Sequence, residues 1–94
     1  MAEVKTITTS GTGFSDHIRL GSGRYALMIT WAGSAGDADV QVGDGTTFVD
    51  LEDANGVVNV TAAKAIGVAG GMSYRLDVNT HTSAATVIAR RTSD

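Results

Sequence analysis

Two stretches of this chain, GRYALMITW at 23–31 and MSYRLDVNT at 72–80, carry one rhythm. Tyr25, Leu27 and Ile29 in the first answer to Tyr74, Leu76 and Val78 in the second. Large apolar residues at every second position send one side of an extended chain into a core and the other toward solvent. The match runs further. Ile18-x-Leu20 and a Gly-Ser-Gly turn precede the first stretch; Ile66-x-Val68 and Ala-Gly-Gly precede the second. A strand with a valine near its middle, Val40 or Val87, follows each, which gives a repeat of about 48 residues. Two copies are too few for a solenoid, so the repeat predicts two similar halves, each covering the other's apolar face.

The rest of the chain keeps the same period. Ile18 and Leu20, Val40 and Val42, Thr47, Val49 and Leu51, Val58 and Val60, Ile66 and Val68, and the run from Ala84 to Arg91 read as strands. Twelve glycines and no proline supply turns between them. Asp44-Gly45 predicts a tight type I′ hairpin. No segment holds a helical period. The expectation is an all-β fold: a single antiparallel β-sandwich of about eight short strands in two similar halves, jelly-roll-like, with an Ig-like sandwich as the alternative. Val4 to Thr9 is β-branched and is followed by the break SGTG at 10–13. Residues 1–13 therefore read as an N-terminal arm or edge strand, and 14–94 as the sandwich domain. Residues 1–10 are expected to stay outside the domain's own sheet until a neighbouring subunit or surface orders them.

Ninety-four residues with 5% aromatics make a thin core. There is no cysteine, so neither a disulfide framework nor a thiolate metal site is available. The start, Met1 to Lys5, does not read as a signal peptide. Tyr25 to Ile29 is the longest apolar stretch and far too short to span a membrane. A net charge of −3 argues against bulk attraction to nucleic acid.

Motifs for chemistry fail on their own terms. Asp53, Asn55 and Gly56 occupy calcium-loop positions, but Leu51 and Ala62 stand where that loop needs its first and last ligands. His17 and His81 are far apart and in no ligand spacing. Ser15, Asp16 and His17 are adjacent, so on a strand they point to alternate sides and form no triad. The Gly-x-Gly pairs lead into strands rather than a helix N-terminus, so they are turns and not phosphate loops. Asn59-Val60-Thr61 is a formal glycosylation acceptor. These readings predict a chain that is not an enzyme and needs no cofactor or metal. A sugar-reading surface would require an exposed aromatic platform, with Trp31 and Phe48 as candidates. Trp31 is in phase with Tyr25, Leu27 and Ile29 and reads as core. Phe48 is out of phase with Val49 and Leu51 and reads as a second-sheet contact or an exposed anchor.

The stretches GRYALMITWAGSAGDADVQVGDGTTFVDL and GGMSYRLDVNTHTSAATVIARR resemble small β-rich virion proteins of tailed bacteriophages. The likeness lies in a Gly-rich turn, a Tyr-led strand, a closing strand ending in Ala-Arg, and the hairpin Asp44-Gly45-Thr46-Thr47-Phe48. It implies a head decoration (cement) protein on the capsid exterior, assembled in the host cytoplasm and binding the major capsid protein as a homo-trimer. No nucleic acid, membrane or small-molecule substrate is expected as a partner. A tail, adaptor or fibre module that binds a receptor or sugar is the alternative. Val4, Ile7, Phe48, Arg90 and Arg91 are the expected partner contacts.

Overall fold

The computed structural model describes residues 4–93. It contains twelve strand segments: β1 (Val4–Thr8), β2 (Gly13–Phe14), β3 (Ile18–Arg19), β4 (Arg24–Trp31), β5 (Asp37–Gly43), β6 (Phe48–Asp50), β7 (Glu52–Asp53), β8 (Gly56–Val57), β9 (Asn59–Val60), β10 (Lys64–Ala69), β11 (Ser73–Thr80) and β12 (Ala85–Ser93). Ten of them form two packed antiparallel sheets, and β7 and β8 pair as a separate two-stranded hairpin. Sheet A runs β1-β12-β4-β10; sheet B runs β2-β11-β5-β6, with β3 also on β11 and β9 also on β5. Segments β2 and β3 are two pieces of one strand position. Segments β6 and β9 are two pieces of another, interrupted by the β7–β8 hairpin. Eight positions in this order make a jelly roll. The all-β sandwich read from the alternation is therefore the observed fold.

The repeat is a symmetry of the molecule. β4 sits inside sheet A between β12 and β10, and β11 sits inside sheet B between β5 and the β2–β3 pieces. Tyr25, Leu27 and Ile29 face Tyr74, Leu76 and Val78 across a core completed by Leu20, Val40, Val60, Val87 and Ala89. Cross-strand register corrects the sequence alignment by two residues. Leu76 pairs with Val40 and Leu27 with Ala89, so Val40 is equivalent to Ala89 rather than to Val87. Likewise Ile18 lies opposite Tyr74, and its counterpart opposite Tyr25 is Val68. Sequence matching favours identical residue types, whereas packing pairs a small residue in one sheet with a larger one in the other.

The two Gly-rich turns of the repeat rest on each other. Gly70 N–H donates to the Gly23 carbonyl at 2.7 Å, and Gly71 N–H to that of Gly21 at 2.8 Å. A Cβ on Gly70 would collide with the Gly21 carbonyl oxygen, so only glycine allows this approach.

Three local expectations change. β1 pairs along its whole length with β12, so from Val4 onward the chain is an edge strand of sheet A and not a free arm. The burial of Ile7 against the core, together with this ladder, outweighs the shortness of the strand. Met1 to Glu3 lie outside the described residues. The 44–47 turn is not type I′, which needs positive φ at both central residues. Only Gly45 has it, and the Asp44 carboxylate instead accepts the N–H groups of Thr46 and Thr47, both at 2.8 Å. Val49, in phase for the core, is exposed, on a three-residue segment at the edge of sheet B.

Candidate functional site

The gap between the sheets, lined by Leu27, Ile29, Val40, Leu76 and Val87, is about 10 Å3. That is room for at most one water, so the interior is a filled core and contacts must be sought on the outer faces.

Outward positions of sheet A follow from its register. Val4 pairs with Arg90, which pairs with Ala26, which pairs with Gly67. The next row is Thr6, Ile88, Met28 and Ala65, and the row after it Thr8, Thr86 and Thr30. Small and β-branched residues make this face flat. Val4 and Met28 are its exposed larger apolar groups, at 47% and 36%. The strands of sheet A hold Lys5, Arg24, Lys64, Arg90 and Arg91, five of the seven Lys and Arg, and no Asp or Glu.

Sheet B is the reverse. Its strands carry Asp37, Asp39, Asp50 and Asp77 against Arg19 and Arg75. Phe14, Asp77, Asp39 and Asn59 form one outward row across four segments. In the next row the Arg75 Nε donates to Gln41 Oε1 at 2.8 Å, and Gln41 Nε2 donates to Asp50 Oδ1 at 3.0 Å. The Arg75 guanidinium lies between two rings, 3.8 Å from the centre of Phe14 and 4.0 Å from that of Phe48. His17 tilts against the far side of this group, its ring 5.5 Å from Phe48. Beyond Asp77, the Asn59 amide donates to Asp37 at 2.6 Å and to Asp39 at 2.8 Å, and Asn79 donates to the same two carboxylates. These amides hold the like charges together, so the acceptor Asn59 is already engaged.

The expected contact residues divide between the faces. Val4 and Arg90 meet as a cross-strand pair on sheet A. Ile7, three residues from Val4, necessarily points the other way and packs on the core, so it is withdrawn as a surface contact. Arg91 also turns inward, its Nη2 donating to the Tyr25 hydroxyl at 2.8 Å. Phe48 lies half-buried on sheet B. Trp31 packs against the core with its Nε1 buried and without a partner among the described residues, so it offers no platform. Phe14, 63% exposed, and Arg75 were not legible as a site. The available signal was the outward set Arg75, Asp77 and Asn79 on the Tyr74 strand.

The polar motifs are occupied by structure. Ser15 Oγ accepts the Leu76 N–H at 2.9 Å and donates to the Asp16 carbonyl. Asp53 accepts the Asn55 N–H within its turn. His81 bonds Thr9, whose hydroxyl accepts the Ala85 N–H. Burial pushes the Tyr74 hydroxyl pKa up, and that hydroxyl donates to the Ala69 carbonyl at 2.7 Å.

No family model and no curated protein sequence matches the chain. Solved structures do. Hydroxypropylphosphonic acid epoxidase from S. wedmorenis in complex with fosfomycin superposes with a TM-score of 0.58 at 11% identity, over 94% of this chain and 42% of that one. An Fe(II)-HppE complex with the alternative substrate (S)-1-HPP gives 0.58 at 11% identity, and an FeII HppE structure 0.52 at 14%, each over 96% of this chain and 42% of the other. The chain thus spans well under half the length of these neighbours. At such identities the likeness shows the fold alone. It still corrects one expectation. The chain was expected not to be an enzyme, and these neighbours at matching fold are an Fe(II) epoxidase, so a sandwich of this kind does not set catalysis aside. The donors here do not fit an iron centre of their own. The core is built of aliphatic side chains and two tyrosines, and among the described residues no three His, Cys, Asp or Glu side chains gather closely enough to hold a metal.

Proposed function

We propose that this chain decorates the exterior of a phage capsid, docking on the major shell protein through the outer face of sheet A. The observation that carries the reading is the character of that face: its outward positions hold Arg24 and Arg90 and no carboxylate, around a flat centre of Ala26, Met28, Ala65, Gly67 and Ile88. A shell surface with carboxylates rimming an apolar patch is the complementary partner. The resemblance of the Tyr-led strands and the Asp44–Phe48 hairpin to virion proteins supports the same reading. A core filled but for a gap of about 10 Å3 suits a protein whose work is done by its surface. Binding only the assembled shell would stabilise it by mass action, and a homo-trimer would match threefold positions on the lattice.

Add-back to particles lacking the chain tests this. Saturable binding in a fixed ratio to the shell protein, with a raised shell melting temperature, is expected. Binding at a stoichiometry that tracks the tail instead, or no binding, would overturn it.

A further inference from the structure

The chain has three asparagines, and the structure treats one of them differently. Asn59 and Asn79 each donate the side-chain amide to the carboxylates of Asp37 and Asp39. Asn59 lies in β9 ahead of the buried Val60, and Asn79 in β11 ahead of Thr80, so a β-branched residue follows both. Asn55 is exposed, its side chain has no hydrogen-bond partner among the described residues, and Gly56 follows it. A Cβ built on Gly56 would meet nothing within 4 Å, so the space around this backbone is open. The two residues sit at the tip of the β7–β8 hairpin. Only two pairs close it, Glu52–Val57 and Asp53–Gly56, and neither segment belongs to sheet A or sheet B. Its base is tied down: the Leu51 N–H donates to the Val40 carbonyl and the Val58 N–H to that of Leu51, both at 2.8 Å. At the tip, the Asp53 carboxylate accepts the Asn55 N–H. A hairpin this short is marginal by itself, so its last pair opens far more readily than either sheet and frees the Gly56 N–H.

We propose that Asn55–Gly56 is a site of spontaneous deamidation in the folded protein. The Gly56 nitrogen attacks Asn55 Cγ and closes a five-membered succinimide. The Gly56 amide proton passes to hydroxide, the Cγ–Nδ2 bond breaks, and Nδ2 takes a proton from water and leaves as ammonia. Water then opens the ring. Attack at Cγ gives aspartate; attack at the main-chain carbonyl carbon of residue 55 gives isoaspartate, with the main chain rerouted through Cβ and Cγ. The net exchange is one water taken up and one ammonia released, with no oxidant or reductant. Glycine favours the attack because no Cβ shields its nitrogen or restricts its backbone. Asp44–Gly45 could close the same ring, but the Thr46 and Thr47 N–H groups hold the Asp44 carboxylate away from it. Deamidation puts a third carboxylate beside Glu52 and Asp53. Isoaspartate also lengthens the main chain by one carbon in a turn held by two pairs, which loosens the hairpin over the groove lined by Leu51, Val58 and Ile66. The site lies on neither outer face, so it stands or falls separately from the shell-docking reading.

The test is incubation of the purified full chain at mildly alkaline pH in heavy-oxygen water, with site-resolved peptide mass spectrometry over time. Asn55 should exchange its amide for labelled oxygen at least about tenfold faster than Asn59 or Asn79, with isoaspartate among the products. Unfolding the chain in urea should speed Asn55 by no more than about tenfold, because the tip already opens in the folded state. Gly56→Ala should slow the reaction about tenfold, its fold checked by amide NMR. Should that variant disturb the hairpin, Asn55→Gln keeps the glycine and should stay unmodified over the same period, since its ring would need a sixth member. An Asn55 that stays intact in the folded chain while reacting in urea, Asn59 or Asn79 reacting as fast, or a product free of isoaspartate would overturn the assignment.

Discussion

Strands β4 and β11 hold equivalent places in the two sheets, and their two sides tell opposite stories. Inward they agree: Tyr25, Leu27 and Ile29 against Tyr74, Leu76 and Val78, all buried. Outward they share nothing: Arg24, Ala26, Met28 and Thr30 against Ser73, Arg75, Asp77 and Asn79. β12 and β5 repeat the contrast, with Thr86, Ile88 and Arg90 outside one and Asp37, Asp39 and Gln41 outside the other. A core shared by two halves constrains both alike, because each side chain must fill space left by its counterpart. The solvent sides carry no such constraint. Their divergence gives the two sheets different outer faces.

The largest effects should come from the shared side, and they should be equal. Leu27→Ala and Leu76→Ala should each cost about 2–5 kcal/mol by chemical denaturation, since both sites are fully enclosed. The Leu→Asp variants should not fold, because each buries an unpaired carboxylate. A large cost at one leucine and a negligible one at the other would break the equivalence of the halves.

Substitutions on the outer sides should differ in kind. Arg75→Ala removes two ring contacts and the bond to Gln41, and should cost about 1–2 kcal/mol. Arg90→Ala, exposed on sheet A, should stay within about 0.5 kcal/mol. Conversely, Arg24→Glu combined with Arg90→Glu should weaken particle binding about tenfold with little change in melting temperature, and wild-type binding should decline with added salt. Equal stability losses for Arg75→Ala and Arg90→Ala would sink the distinction between an anchored and a free arginine.

The alternation, the two halves and the sheet-forming segments were legible because period and glycine placement are local in sequence. Less visible was anything set by cross-strand register. Phe14 reaches Arg75 and Phe48 only because β2 and β6 flank the same two central strands, separated by tens of residues along the chain. Arg90 and Arg91 read as one basic pair, yet adjacent residues on a strand part company, and Arg91 serves Tyr25. The segregation of charge was present in the sequence, but it could be seen only once the strands were sorted into sheets. The catalytic silence of the sequence was a weaker guide, since a shared fold carries chemistry in its structural neighbours.

The smallest predicted effect belongs to the 44–47 turn. The N–H groups of Thr47 and Thr46 hold the Asp44 carboxyl below its ordinary range. A depressed folded pKa means that its stabilising contribution is present above the unfolded value, near 3.9, and is lost as pH falls through the folded one. In an acid titration the Thr46 and Thr47 amide resonances should move together below pH of about 4, and Asp44→Asn should abolish that movement while barely altering the rest of the spectrum. Titration of those amides at the ordinary carboxylate pKa would contradict the hydrogen-bonded turn.

Methionine oxidation gives the sharpest comparison of the two faces, because Met28 lies on the outer side of sheet A and Met72 in the turn leading into sheet B, both exposed. Limited peroxide treatment of the free chain and of the particle-bound chain, read by peptide mass spectrometry, compares them in one sample. Met28 should be oxidised in the free protein and protected on the particle, while Met72 reacts equally in both. Protection of Met72 with Met28 left reactive would mean that the chain docks by the opposite face.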